Sequence, residues 1–98
     1  MLKKSYSKTG TKCRVTFKLA AEVNAKTAVL VGDFNDWDTA TKPMKKLKDG
    51  SFSDTVSLET GRSYRFRYLL DGERWENDWE ADEYLPNEHG TEDSVVTV

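Results

Sequence analysis

The stretch Tyr64–Gly72 has the sequence YRFRYLLDG, and its large apolar side chains recur at every second position. One side of this period holds Tyr64, Phe66, Tyr68 and Leu70, and the other side holds Arg65, Arg67 and Leu69. Because successive side chains of a β-strand point to opposite faces, the alternation predicts a strand with one face in the core and one face in water. The dipeptide Asp71-Gly72 is typical of tight hairpin turns, so residues 74–76 are predicted as a short return strand.

The same two-residue period recurs along the chain. Further strand signals lie, in chain order, at residues 13–19, 28–31, 44–48, 52–58 and 94–98. A second Asp-Gly pair, Asp49-Gly50, predicts a hairpin between the third and fourth of these segments. Helical signals are confined to at most one turn within residues 19–23.

Six or seven short strands separated by turn signals predict an all-β fold. The best match is an immunoglobulin-like antiparallel β-sandwich of about seven strands. The chain has 98 residues, so we expect residues 1–98 to form one domain. Residues 33–43 and 77–93 are expected to be the long loops.

The chain carries one cysteine, Cys13, and one histidine, His89. A structural zinc site takes about four Cys or His ligands, and a triad needs a histidine held on a rigid element. His89 lies in a Pro-Asn-Glu-His-Gly segment that is typical of a turn. We therefore expect no catalytic residue, no metal ion and no cofactor.

Charge is distributed unevenly along the chain. Residues 1–48 hold eleven Lys and Arg against four acids, whereas residues 49–98 hold four against thirteen. A basic half is compatible with nucleic-acid binding, but Lys12, Arg14 and Lys18 alternate with apolar residues, as on the solvated face of a strand. Because that alternation accounts for the basic residues, we expect no nucleic-acid partner. The acidic residues of 71–93 lack the spacing of a calcium loop.

The sequence shows neither a signal-peptide pattern nor an apolar run of about 20 residues. No membrane partner is therefore expected. A lone thiol favours a cytoplasmic location.

The three tryptophans, Trp37, Trp75 and Trp79, do not continue the apolar face of any clear strand. The position of Trp75 depends on the hairpin register. A loop of Asp71-Gly72 alone pairs Trp75 with Tyr68 and places the indole in the core. A loop that includes Glu73 pairs Trp75 with Leu69 and places the indole outside, beside Arg67. The residues alone leave both registers open.

Exposed indoles beside an arginine suit a sugar ligand. An indole covers the C–H face of a pyranose ring, and a guanidinium donates hydrogen bonds to the hydroxyl groups at its rim. The alternative is that Trp37 and Trp75 fold back as lids on the core. The pattern alone does not decide between the two interpretations.

Four segments carry a resemblance to a known family: VLVGDFNDW at 29–37, DGSFSDTVSLETG at 49–61, YRFRYLLDGERW at 64–75 and HGTEDSVV at 89–96. Over about residues 12–98 the chain resembles the family-48 carbohydrate-binding modules. These include the glycogen-binding domain of the AMP-activated protein kinase β subunit and the N-terminal early-set domains of isoamylases and branching enzymes. The chain looks most similar to small free-standing bacterial members.

The resemblance implies an immunoglobulin-like sandwich that binds α-1,4-linked glucan, such as glycogen, starch or a maltooligosaccharide. It implies these site residues: Trp37 and Trp75 as the stacking pair, with Arg67, Asp93 and His89 as further contacts. Asn77, which follows Trp75, is a candidate for an extra polar contact. Arg67 stands where glycogen-binding members have lysine, Asp93 where asparagine is frequent, and His89 where the kinase subunit has leucine. The Glu73-Arg74 turn is one residue longer than in that subunit. These departures are expected to weaken binding or to shift the preferred sugar.

The first functional hypothesis is therefore a non-catalytic α-glucan-binding module. The alternative is a protein-interaction or regulatory domain that keeps the fold and has lost sugar binding, with the acidic stretch Glu76–Glu83 as the expected protein contact. An enzyme is not expected, because glycosidic hydrolysis needs two carboxylates across a cleft and the related enzymes place their chemistry in a separate barrel of roughly 250 residues.

Overall fold

The computed structural model describes residues 2–98, and Met1, the first residue of the predicted domain, lies outside the described part. The strands are β1 (Leu2–Tyr6), β2 (Lys12–Leu19), β3 (Ala28–Gly32), β4 (Lys45–Lys46), β5 (Phe52–Glu59), β6 (Ser63–Leu70), β7 (Arg74–Glu76), β8 (Glu83–Pro86) and β9 (Glu92–Thr97). Two short 3-10 turns cover Ala21–Val23 and Asp33–Asn35.

The described strands form two sheets. Within each sheet, all neighbouring strands pair in antiparallel orientation. Sheet 1 has the order β1-β2-β5-β4, and sheet 2 has the order β3-β6-β9-β8, with β7 also paired to β6. The predicted all-β antiparallel sandwich is confirmed. Within residues 2–98, no helix is long and apolar enough to cross a membrane.

Two strands, β1 and β8, are missing from the sequence prediction. The expectation of an uninterrupted loop over residues 77–93 is wrong, because β8 lies within it and pairs with β9. Neither strand shows a buried alternating face, since all their described residues are exposed or half-buried. β1 and β8 are therefore recognised by their backbone pairing to β2 and β9 and not by a hydrophobic pattern.

The core lies between β2 and β6. The predicted inner residues of β2, Cys13, Val15, Phe17 and Leu19, are at most 4% exposed. Those of β6, Tyr64, Phe66, Tyr68 and Leu70, are at most 8% exposed. Phe17 and Phe66 meet across the two sheets with ring centroids 5.0 Å apart in an edge-to-face arrangement, a geometry that the aromatic quadrupole favours. The predicted inner faces of both strands are confirmed.

One buried polar contact ties the core to the segment that follows β7. The Tyr68 hydroxyl donates to Oδ2 of Asp78 at 2.7 Å. Burial raises the pKa of Tyr68 well above its ordinary value, and the Asp78 carboxylate raises that pKa further. The phenol therefore remains a protonated donor at neutral pH, and the contact fixes residue 78 against the inner face of β6.

The hairpin between β6 and β7 adopts the longer of the two possible loops. Leu69 pairs with Trp75 and Leu70 with Arg74, so the loop consists of Asp71, Gly72 and Glu73. Asp71 and Gly72 both have positive φ angles, of 53° and 73°. This register places Trp75 on the outer face of sheet 2, where its side chain is 42% exposed.

Asp71 also ties this hairpin to the segment before β3. Its Oδ1 accepts hydrogen bonds from the backbone N–H of Lys26 at 2.7 Å and of Thr27 at 3.0 Å. These bonds, that from Thr27 first, hold the pKa of Asp71 below its ordinary value of 3.8. A carboxyl group with a lowered pKa in the folded state stabilises the fold above its unfolded-state pKa, and that contribution is lost as the pH falls through the folded-state pKa.

We therefore expect Asp71→Asn to be less stable than the wild-type protein near neutral pH and to approach it in strong acid. Asparagine tolerates the left-handed backbone conformation of this position, so the substitution changes mainly the charge. Urea unfolding of both proteins at about pH 6 and about pH 2 measures the effect. A difference between their midpoints that is the same at both pH values would contradict this role of Asp71.

Candidate functional site

The outer face of sheet 2 forms the floor of the candidate site. Directly paired residues of an antiparallel sheet share a face, and the pairs on this face include Arg65–Val95, Arg67–Val31 and Leu69–Trp75. Asp93, two residues before Val95 in β9, projects from the same face. Val31, Leu69 and Val95 are 0%, 8% and 1% exposed, so other side chains cover these three apolar residues. The outward position of Leu69 thus does not make it a solvent-exposed residue.

A groove of about 790 Å³ lies on this face. Its lining residues are Trp37, Arg65, Arg67, Trp75, Pro86, Asn87, Glu88, His89, Thr91 and Asp93. The two indoles come from different elements, since Trp37 follows the second 3-10 turn and Trp75 belongs to β7. The groove combines two aromatic walls with polar and charged side chains, and its volume is within the usual range for a small-molecule site.

The segment after β3 holds Trp37 in a fixed position. The backbone N–H of Trp37 donates to the carbonyl of Gly32 at 2.9 Å. Its indole N–H donates to Oδ1 of Asp33 at 2.9 Å, and Oδ2 of Asp33 accepts the backbone N–H of Arg65 at 2.8 Å. The Asp33 carboxylate thus joins the indole of Trp37 to the neighbouring strand β6.

The backbone of this segment is strained. Asp36 and Trp37 have φ angles of 56° and 57°, in the left-handed region that non-glycine residues rarely adopt. The side chain of Asn35 closes the turn before them, accepting the N–H of Gly32 and donating to the carbonyl of Leu30. Strain of this kind persists only where surrounding contacts enforce it, and it is concentrated at ligand-binding positions.

We expect Asp33→Ala to release the indole of Trp37. The change removes the acceptor for two hydrogen bonds, each worth about 1 kcal/mol, so we expect a stability loss of about 1–2 kcal/mol. The indole N–H resonance of Trp37 should shift and exchange faster with solvent. Asp38→Ala is the matched control, since Asp38 lies in the same loop and bonds only locally to the N–H of Ala40. An unmoved Trp37 indole resonance in Asp33→Ala would show that Asp33 does not position the ring.

Trp75 and Arg67 form the second part of the groove. The guanidinium carbon of Arg67 lies 5.7 Å from the centroid of the Trp75 ring, within the range of a cation–π contact. Nε of Arg67 is buried and has no hydrogen-bond partner among the described residues. The structure thus presents an exposed indole with a guanidinium group next to its ring.

Asp93 is 7% exposed, and both of its carboxylate oxygens are engaged within the protein. Oδ2 accepts from Nη1 of Arg65 at 3.3 Å, and Oδ1 accepts from the side-chain amide of Asn87 at 3.0 Å. Nη1 of Arg65 also donates to the carbonyl of Pro86 at 3.1 Å. Arg65 therefore neutralises the charge of Asp93 and joins the groove floor to the β8–β9 turn.

Asn87 shapes the β8–β9 turn at the rim of the groove. Its Oδ1 accepts the backbone N–H groups of His89 and Thr91 at 3.0 and 3.2 Å, and its amide donates to Oγ1 of Thr91 at 2.8 Å. His89 is exposed, and its Nε2 lies 3.8 Å from a carboxylate oxygen of Glu88. The turn thus carries His89 on an ordered backbone with the imidazole open to solvent.

Five of the six predicted site residues line one groove: Trp37, Arg67, Trp75, His89 and Asp93. Asn77 does not line it. Its amide donates to the carbonyl of Glu92, and its Oδ1 accepts from the hydroxyl of Ser94. Arg65 and Asn87 are the functional candidates that sequence reasoning missed. Arg65 could have been found, because it shares the outer face of β6 with Arg67.

Comparison with known proteins assigns the chain to a family. The family model described as carbohydrate-binding module 48 (isoamylase N-terminal domain) matches residues 5–85. The chain therefore belongs to this family of carbohydrate-binding modules. The match begins at residue 5, earlier than the expected start near residue 12. It ends at residue 85, before the segment 89–96 that was expected within the resemblance.

A curated relative comes from Aquifex aeolicus (strain VF5). The chain is 41% identical over 56 residues to its 1,4-alpha-glucan branching enzyme GlgB. The alignment covers 54% of this chain and 9% of the enzyme. The similarity thus covers a small part of the branching enzyme.

Proposed function

We propose that the chain is a non-catalytic module that binds α-1,4-linked glucan in the groove on sheet 2. The observation that carries the proposal is the placement of two indoles, Trp37 and Trp75, on one open groove with Arg67 beside them. Stacked sugar rings remove the apolar faces of both indoles from water, which is favourable in proportion to the area covered. The hydroxyl groups at the ring rim accept hydrogen bonds from the guanidinium group of Arg67, which lines the groove.

The choice of α-1,4-linked glucan is supported by family membership and by the name of the Aquifex relative. The proposal does not extend to branching activity, because the similarity covers 9% of that enzyme. Two carboxylates line the groove, and Asp93 is committed to Arg65 and Asn87. That arrangement favours binding over hydrolysis, which needs two available carboxyl groups across the scissile bond.

The second candidate is a protein-interaction domain that has lost sugar binding. It is favoured by the internal engagement of both Asp93 oxygens, which removes one expected sugar contact. The expected protein contact at Glu76–Glu83 is smaller than its sequence suggests. Asp78 is 1% exposed, and Asp82 forms an ion pair with Lys4 at 2.7 Å. Glu80 and Glu83 remain exposed on this stretch.

A titration followed by amide and indole N–H spectra separates the two candidates. With maltoheptaose or β-cyclodextrin, glucan binding predicts shifts at Trp37, Arg67, Trp75 and the turn at 89–93. Cellohexaose, the β-linked control, should produce smaller shifts. Silence with all three sugars would refute the glucan proposal and favour the interaction domain.

A further inference from the structure

The third tryptophan, Trp79, is not part of the groove just described. Its side chain is 55% exposed, compared with 42% for Trp75. Large aromatic side chains are costly to leave in water unless another surface covers them. A singly exposed aromatic side chain is common on protein surfaces, but Trp79 also lines a groove of its own.

The backbone on both sides of Trp79 is fixed. Asp78 is 1% exposed, its N–H donates to Oγ of Ser94 at 2.9 Å, and its Oδ2 accepts from Tyr68 in the core. The N–H of Glu80 donates to Oδ1 of Asp78 at 2.8 Å, and the hydroxyl of Tyr84 donates to the carbonyl of Asp78. The exposed indole is thus carried by an anchored segment, and its presentation needs little ordering when a ligand binds.

Trp79 forms one wall of a second groove, of about 330 Å³, that shares no lining residue with the first. This groove lies where the end of β2, the first 3-10 turn and the β4–β5 hairpin meet the segment after β7. Its apolar lining adds Leu19, Ala20 and Ala21 to the indole. Its polar lining consists of Lys18, Glu22, Asp49, Ser51 and Glu80.

The polar lining contains groups of both charge signs and a hydroxyl. Asp49 accepts hydrogen bonds from the backbone and the hydroxyl of Ser51, and the charge of Lys18 also acts on it. Three carboxylates oppose an anionic ligand, whereas Lys18 offsets part of their attraction for a cationic one. A neutral polyol can donate to carboxylates and accept from an ammonium group, while its C–H face covers an indole.

We propose that the Trp79 groove is a second contact site for α-glucan, with the Trp79 indole stacked on a sugar ring and the hydroxyl groups of that ring bound by the surrounding carboxylates and by Lys18. The inference rests on the proposed function of the first groove. It goes beyond that function in making the module bivalent. A branched or long polymer can occupy both grooves, and simultaneous engagement raises the apparent affinity without any change at either site.

The test uses the full chain and compares a short sugar with a polymer. In the maltoheptaose titration, the indole N–H of Trp79 should shift in a separate transition from those of Trp37 and Trp75. Trp79→Ala should weaken retention on glycogen at least about tenfold. It should change the affinity of the first groove for maltoheptaose less than about twofold. Tyr6→Ala is the matched control, because Tyr6 is also 55% exposed and lies on β1.

The outcomes distinguish the two proposals. If Trp37 and Trp75 respond and Trp79 stays silent at saturation, the second site is overturned and the first remains. If Trp79 alone responds, the proposed role of the first groove fails, and the bivalent module fails with it. Equal loss of glycogen retention in Tyr6→Ala and Trp79→Ala also overturns the second site, because the effect is then not specific to this groove.

Discussion

Trp75→Ala is expected to weaken maltoheptaose binding at least about thirtyfold without unfolding the protein. The indole lies on the outer face of sheet 2 and is 42% exposed, so its removal leaves no cavity in the core. Thirtyfold corresponds to about 2 kcal/mol, the scale on which central tryptophans of binding surfaces act. Isothermal titration with maltoheptaose measures the affinity, and urea unfolding measures the stability.

Trp37→Ala is expected to give a comparable loss, because the ligand is proposed to contact both indoles. Trp75→Phe is the matched control for Trp75→Ala, since phenylalanine keeps a ring over the groove and should retain part of the affinity. The hypothesis would be falsified if either alanine variant kept wild-type affinity. If Trp75→Ala unfolded the protein instead, the indole would be structural and the groove would need another ligand contact.

Gly32→Ala is expected to destabilise the fold by at least about 2 kcal/mol. A Cβ at residue 32 would lie 2.5 Å from the carbonyl oxygen of Arg65 and 2.8 Å from Cβ of Phe66. The φ angle of Gly32 is −172°, ordinary extended backbone, so the cost is steric and not conformational. Added volume in a packed interior costs typically about 1–3 kcal/mol, and here the nearest atom is backbone, which cannot rotate away.

The same substitution should disturb the candidate site. Displacing β3 from β6 at Gly32 separates Asp33 from the N–H of Arg65, and the indole of Trp37 loses its fixed acceptor. We therefore expect a lower urea midpoint together with a shifted Trp37 indole resonance. A midpoint equal to that of the wild-type protein would show that the strands tolerate a methyl group at this contact.

The central strands were predictable because they bury one complete face. Residues 13–19 and 64–70 alternate large apolar and polar side chains, and that pattern fixes both the element and the inward face. β1 and β8 were not predictable, because neither has a buried alternating face and each is defined by its partner strand. An edge strand held by backbone pairing leaves little trace in hydrophobic periodicity.

The candidate site was predictable in part for a different reason. Trp37 and Trp75 are conspicuous as surplus aromatics, yet the residues alone left the register of Trp75 open. The structure settled the register through a backbone turn at Asp71 and Gly72. Asn77 lies outside the groove with its amide directed at the carbonyl of Glu92, and an amide in a loop gives no sequence signal of which partner it takes.

The ion pair between Arg65 and Asp93 could not be predicted from the sequence either. Asp93 appeared as an added charge in the groove, whereas the structure neutralises that charge with Arg65, which lies 28 positions earlier. Contacts of this kind depend on which strands are neighbours in the sheet. They are therefore available only after the strand order is known.

Asp36 and Trp37 are consecutive residues in the left-handed conformation, so substitutions that relax this loop would raise thermal stability and alter the proposed sugar contact. Left-handed conformations cost roughly 1–2 kcal/mol for an ordinary L-residue such as Trp37, and glycine would also remove the smaller cost at Asp36. A variant selected only for survival at high temperature would therefore be expected to change this loop early. The loop also sets the orientation of an indole proposed to contact the sugar, so laboratory evolution for thermal tolerance should include a counter-selection for retention on glycogen.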